Sequence, residues 1–191
     1  MKRIIAAVLL ALVAPAAAHA DDFVRARGRV MFVDADGAVR PFARVQVRLM
    51  DSDWDWDEEI ARGFTDNDGR YDISGTAGDD LCVGCGTPDP YVKVVLEEPG
   101  RVEVHDLLHY TRNAVITPVR EETAGDIDFG ERVYPDEEPE GNAAILYVRA
   151  QRAYARFTEL TGDAKIPGND GEVAVEIPTT SFGDPYCTWD T

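Results

Sequence analysis

Residues 51–75 read DSDWDWDEEIARGFTDNDGRYDISG: an acidic run, a short extended segment, a tight turn and a second extended segment. The second half decides the fold. In Thr65-Asp66-Asn67-Asp68-Gly69, glycine supplies the positive φ that such a turn requires, and the Asp and Asn side chains can bond back to the turn backbone. Beyond it Tyr71 and Ile73 alternate with Arg70, Asp72 and Ser74, the period of a half-buried strand. The pattern predicts a hairpin of Ile60–Thr65 with Arg70–Ser74, and it places the run DSDWDWDEE in the loop ahead of it.

The segments on either side follow the same rule. Upstream, VRARGRVMFV alternates, Asp34–Gly37 makes a turn, and ARVQVRLM puts Val45, Val47 and Leu49 on one face against Arg44, Gln46 and Arg48, a hairpin-like pair. Downstream, residues 75–90 carry four glycines and two prolines without a period and read as a loop. Tyr91–Leu96, Arg101–His105, Asn113–Val119 and Ile127–Phe129 are further strands. About seven or eight short strands separated by turn residues predict a mainly β chain folded as an antiparallel sandwich over residues 21–134.

The two ends differ in character. Residues 1–20 have a basic start at Lys2 and Arg3, an apolar run from Ile4 to Val13 and small residues ending at Ala20, the layout of a secretory signal peptide cleaved before Asp21. The run is short for a membrane span and no second one follows, so an exported product without an integral membrane segment is expected, in the periplasm, at the cell surface or outside the cell. Removing Lys2 and Arg3 leaves 17 basic against 36 acidic side chains, a charge of −19, which repels nucleic acid and anionic lipid. At the other end, PDEEPEG (135–141) is an acidic linker, and 142–191 is a small annex. Its helix starts at the cap Asn142 and stops at Gly162, with Leu146, Ala150, Ala153, Phe157 and Leu160 as the apolar stripe and Arg149, Arg152 and Arg156 as a basic one. The basic stripe is expected to face the linker acids or the acidic loop. One alternating strand, Val173–Ile177, follows. A helix and one strand make no core alone, so the annex must dock on the sandwich or continue into something further.

The succession ARVQVRLMDSD, acidic insert, GFTDNDGRYDISG, DPYVKVVLEE resembles the transthyretin-like family of secreted proteins, with a looser likeness to other prealbumin-type and carboxypeptidase-regulatory-type sandwiches. The residues that carry it are Val45, Val47 and Leu49, then Thr65, Asp66, Gly69, Tyr71 and Gly75, then Asp89 and Pro90, within about residues 24–130. The resemblance implies a Greek-key sandwich. Two departures limit it: the family's cysteines follow the first strand and the Asp-Pro strand, whereas Cys82 and Cys85 precede Asp89; and the C-terminal Tyr-Arg-Gly-Ser of the transthyretin-related hydrolases is replaced by YCTWDT. Neither hormone binding nor ureide hydrolysis carries over.

Four constellations could bear chemistry. Asp51, Asp53, Asp55 and Asp57 could offer oxygens to a calcium ion, although counting from Asp51 a helix-loop-helix calcium motif would need glycine at Trp56 and a carboxylate at Arg62. The plain alternative is a solvated loop. Trp54 and Trp56, with Glu58 and Glu59, could instead form a contact surface, since exposed aromatics anchor interfaces. His105-Asp-Leu-Leu-His109 resembles His-Glu-x-x-His, but Val102 and Val104 lead in as a strand and no third zinc ligand is marked, so the end of a strand with partly exposed histidines is the plainer reading. Cys82, Cys85 and Cys187 enter an oxidising compartment as one disulfide and one thiol, with the pairs 82–85, 82–187 and 85–187 all open.

No nucleophile triad, phosphate-cradling loop or dinucleotide fingerprint is visible in the sequence. The expectation is an exported, non-enzymatic sandwich that binds a protein, glycan or metal partner, calcium being the cofactor the loop suggests. The alternative is the front part of an exported zinc metallopeptidase-like protein, whose opening helix and strand the annex resembles. Association through edge strands is a third, structural option.

Overall fold

The computed structural model describes residues 23–53, 56–78, 87–106, 110–137, 140–162 and 173–177. These form eleven strands and one helix. β1 (Phe23–Val33) is the spine of one sheet. β10 (Gly125–Val133) runs parallel along one edge; the other edge is shared by antiparallel β5 (Arg70–Thr76) and β2 (Val39–Pro41). A second sheet, antiparallel throughout, has the order β4 (Glu58–Phe64), β3 (Gln46–Asp51), β6 (Pro90–Val95), β9 (Asn113–Val115). A smaller one joins β11 (Val173–Ile177), β8 (Val102–Asp106) and β7 (Glu97–Glu98), with β11 parallel to β8. The molecule is mainly β and a sandwich, with two parallel pairs among the antiparallel ones.

Alternation along the strands builds the core. Val24, Ala26 and Phe32 of β1, Val47 and Leu49 of β3, Val92 and Val94 of β6, and Phe129 of β10 enter one apolar cluster. Each large aliphatic or aromatic side chain buried there contributes about 1.5–3 kcal/mol.

The turn at 66–69 closes as its residues require: Asp66 Oδ1 accepts the amides of Asp68 (2.9 Å) and Arg70 (2.8 Å), and Gly69 has φ 76°. It is not a hairpin turn, however, because β4 and β5 belong to different sheets. It is a corner that carries the chain across the sandwich. The crossing is narrow because a Cβ on Gly63 would stand 2.6 Å from Ile73 Cγ2 and one on Gly75 would overlap the Ile60 carbonyl oxygen. Buried Thr65 locks the corner by accepting the Val45 amide (3.1 Å) and donating to the Phe42 carbonyl (2.6 Å). The upstream pair divides in the same way: Asp34–Gly37 folds β1 onto the short β2, and β3 leaves for the second sheet.

The helix α1 (Glu140–Thr161) starts two residues before Asn142 and ends at Gly162, whose φ is 68°. Its docked face differs from the predicted stripe. Ala143, Ala144, Tyr147, Ala150 and Tyr154 are buried, whereas Ala153 is exposed and Leu160 is 68% exposed. Small side chains let the helix lie close to the strands, and the Tyr147 hydroxyl then reaches the Arg44 carbonyl at 3.0 Å. Phe42 stands at the centre of this contact, its ring 4.9 Å from Phe32, 5.6 Å from Tyr134 and 5.9 Å from Tyr147. Helix and sandwich therefore share one core. Among the described residues, no helix is long and apolar enough to cross a membrane.

Candidate functional site

The loop between β3 and β4 hangs from the end of the sheet where the strands' own hydrogen bonds run out, and its acids meet those needs. Asp51, buried at the last position of β3, accepts the Asp89 amide at 2.6 Å, and Ser52 N–H returns a bond to the Asp89 carbonyl at 3.2 Å. Asp89 Oδ1 in turn takes the Glu122 amide at 2.6 Å. Across the loop, Asp57 Oδ2 accepts the Tyr91 hydroxyl at 2.5 Å. Burial pushes Tyr91 ionisation above its ordinary range, and the bond to Asp57 and its negative charge add to the shift. Glu59 meets Arg62 at 2.6 Å and Arg48 at 3.5 Å, and Arg48 also reaches Glu97 at 3.4 Å.

The predicted acids are thus close in sequence but turned to separate partners. Among the described residues no group of three or more His, Cys, Asp or Glu side chains is placed to hold a metal ion. Trp54 and Asp55 lie outside the described residues, as do His109, the cysteines Cys82, Cys85 and Cys187, and residues 1–20. Trp56 is 82% exposed, and Asp57 and Glu58 beside it are exposed too. His105 lies on strand β8 and is buried rather than partly exposed. Among the described residues no ion pair joins the α1 arginines to the linker or loop acids, and Arg156 pairs instead with Glu159 on its own helix at 2.6 Å. The linker side is met instead by Arg112, 3.7 Å from Glu140.

A second feature, not singled out by the sequence, lies at the other end of β4. That strand has seven residues, about 23 Å at ~3.3 Å per residue, so the two ends are distinct surfaces. Here an open groove of about 840 Å³ crosses β1 at Arg27-Gly28-Arg29. The β1–β10 register shifts between Arg27 and Arg29, so that Phe129 and Gly130 together oppose Gly28. A Cβ on Gly28 would stand 2.6 Å from the Tyr71 hydroxyl and 2.8 Å from the Gly130 carbonyl, so only glycine lets the Tyr71 ring lie there. Among the described residues that hydroxyl is buried without a hydrogen-bond partner, and burial pushes its pKa up, with Arg132 opposing and Asp128 reinforcing the shift.

The outer face of β1 supplies alternating arginines, each met by an acid of a neighbouring strand. Arg25 pairs with Asp72 at 2.6 Å, Arg27 with Asp126 at 3.5 Å and Arg29 with Glu131 at 3.1 Å. The string RARGRV, a glycine set among arginines on a strand, is the sequence trace of this groove.

No curated protein matches the chain. Among solved structures, a 9R-lipoxygenase from Cyanothece PCC8801 is 17% identical at a TM-score of 0.39, over 77% of this chain and 25% of its own. This chain therefore spans a quarter of the lipoxygenase's length. The major plantain pollen allergen Pla l 1 is 19% identical at 0.33, over 58% of this chain and 91% of its own. Likeness at that level carries no functional weight. Residues 38–98, from the approach to β2 through β7, match the model of the transthyretin-like family, so this segment of the mainly β chain is similar to that family.

Proposed function

We propose that the protein is an exported, non-enzymatic binding module that meets a cationic partner, a lysine- or arginine-rich protein segment, at the end of the sandwich carrying the β3–β4 loop. The observation that carries this reading is Trp56, 82% exposed beside the exposed carboxylates of Asp57 and Glu58. An indole face attracts ammonium and guanidinium groups, and flanking carboxylates add their charge. The bonds Asp51–Asp89 and Tyr91–Asp57 hold both ends of the loop, so little order is lost when a partner arrives. A formal charge of −17 steers cations towards the whole molecule. Export rests on the basic, apolar and small-residue succession of residues 1–20.

Calcium dependence is a finer form of the same reading. Asp51 and Asp57 already accept the Asp89 amide and the Tyr91 hydroxyl, so an ion gathered by Asp51, Asp53, Asp55 and Asp57 would compete with those bonds for the carboxylates. Titration with a lysine-rich peptide, read by tryptophan emission, should give a saturable change that weakens with salt and is lost in Trp56→Ala. Equal binding by an uncharged peptide, or by the variant, refutes the proposal. A rise in melting temperature with calcium that Asp53→Asn and Asp57→Asn abolish would establish the calcium-dependent form.

A further inference from the structure

The groove over β1 has a lining that suits one class of ligand. Three carboxylates in it are each held by a single oxygen. Asp66 Oδ1 accepts two amides of its own turn, Asp128 Oδ1 accepts the Gly130 amide at 2.8 Å, and Glu131 Oε2 meets Arg29 at 3.1 Å. In every case the second oxygen has no hydrogen bond among the described residues. Arg70, exposed on the same groove, makes no side-chain hydrogen bond or ion pair among the described residues. Phe64 adds a ring that is 46% exposed. The site thus offers acceptors already fixed in direction, one uncommitted fork of donors and one apolar plate. An additional patch of open space lies above Gly130, where a Cβ would meet nothing within 4 Å.

From this geometry we infer that the groove binds a neutral saccharide. Its hydroxyls donate to Asp66, Asp128 and Glu131 and accept from Arg70, while the C–H face of a pyranose ring lies on Phe64. The carboxylates do not converge as a cation site, since no such group exists among the described residues. Acceptors spaced beyond the reach of one ion fit a ligand that carries several hydroxyls at fixed separations, each both donor and acceptor. Three arginines and four carboxylates line the groove, so a ligand of either charge would be attracted by one set and repelled by the other. An uncharged polyol is not. The groove's volume of about 840 Å³ falls in the range of ~300–1,000 Å³ usual for small-ligand sites. This site is separate from the Trp56 loop and does not rest on the reading given for it.

The test is amide-shift mapping of the whole protein with maltotriose, cellotriose and the trimer of N-acetylglucosamine, with a glucuronic acid trimer as the charged control. At least one neutral trimer should shift the amides of Phe64, Arg70 and Gly130 saturably. Arg70→Ala and Phe64→Ala should each weaken that binding about tenfold, equivalent to ~1.4 kcal/mol, at an unchanged melting temperature. Trp56→Ala should leave it intact. Three results overturn the inference: no neutral trimer shifting those amides, shifts that both groove variants leave unaltered, or equal binding of the charged trimer.

Discussion

Replacing Gly69 by alanine tests whether the corner between β4 and β5 is what aligns the two sheets. Gly69 is buried at φ 76°, where an L residue costs about 1–2 kcal/mol through its Cβ. A Cβ there would also overlap the Val30 carbonyl oxygen and stand 3.2 Å from the Phe42 amide. That carbonyl accepts the Phe42 amide at 2.9 Å, and the Val30 amide donates to the Gly69 carbonyl at 2.7 Å. Relief of the overlap stretches both bonds, and each lost bond costs about 0.5–1.5 kcal/mol. The expected loss is about 2–5 kcal/mol, a large share of the ~5–15 kcal/mol that holds a typical domain. Gly37→Ala is the control, since Gly37 has φ 78° with nothing within 4 Å of its Cβ, and it should show the conformational cost alone. Urea unfolding of both variants at equal slope measures the difference directly. Equal midpoints for the two would refute the idea that Gly69 registers β1 against the corner.

The buried hydroxyls and the outer charges give three more expected outcomes. Tyr147→Phe removes the bond to the Arg44 carbonyl and should cost about 1 kcal/mol; Tyr134→Phe removes a buried hydroxyl that has no partner among the described residues and should leave the melting temperature level or raise it. Asp72 is held below the usual carboxylate range by its hydrogen bond and ion pair to Arg25. Its contribution should therefore be complete above the unfolded value of ~3.9 and vanish as pH falls through the lower folded value. Acid titration of stability should show that limb flattened in Asp72→Asn, and an unchanged limb would remove Asp72 from the account.

Local chemistry explains what could be read without coordinates. Gly37, Gly69 and Gly162 punctuate the chain because φ near 70° is available to them at little cost, and the acids of the 66–69 turn bond within four residues. What such chemistry does not specify is which sheet the next strand joins. A hairpin and a sheet-crossing corner use the same turn; the choice here is made by Gly63 against Ile73, Gly75 against Ile60 and Thr65 against Phe42. The helix shows the same limit. Spacing selects Leu146, Ala150, Ala153, Phe157 and Leu160 as its buried stripe; of these Ala150 is buried, and closeness to the sheet selects Ala143, Ala144, Tyr147 and Tyr154 with it. Propensity sees one element at a time, and packing weighs two.

The acidic run shows why a spacing of like charges is weak ground for a metal site. Asp51 closes β3 and Asp57 immediately precedes β4, so the two carboxylates stand at opposite ends of the loop and meet different donors. Each finds one on or beside the buried strand β6, Asp89 immediately before it and Tyr91 within it, more than thirty residues along the chain. Their carboxylates close the rim of the sandwich, and Glu59 bridges two arginines of the same sheet. Among the described residues of the loop, Trp56 and the acids Asp57 and Glu58 beside it are exposed, an aromatic plate flanked by carboxylates. A partner that met the loop through the carboxylates of Asp51, Asp57 and Glu59 would compete with bonds the fold uses. One that places a cation over the indole leaves them whole, and for that reason Trp56 rather than the aspartates is the residue whose loss should abolish binding.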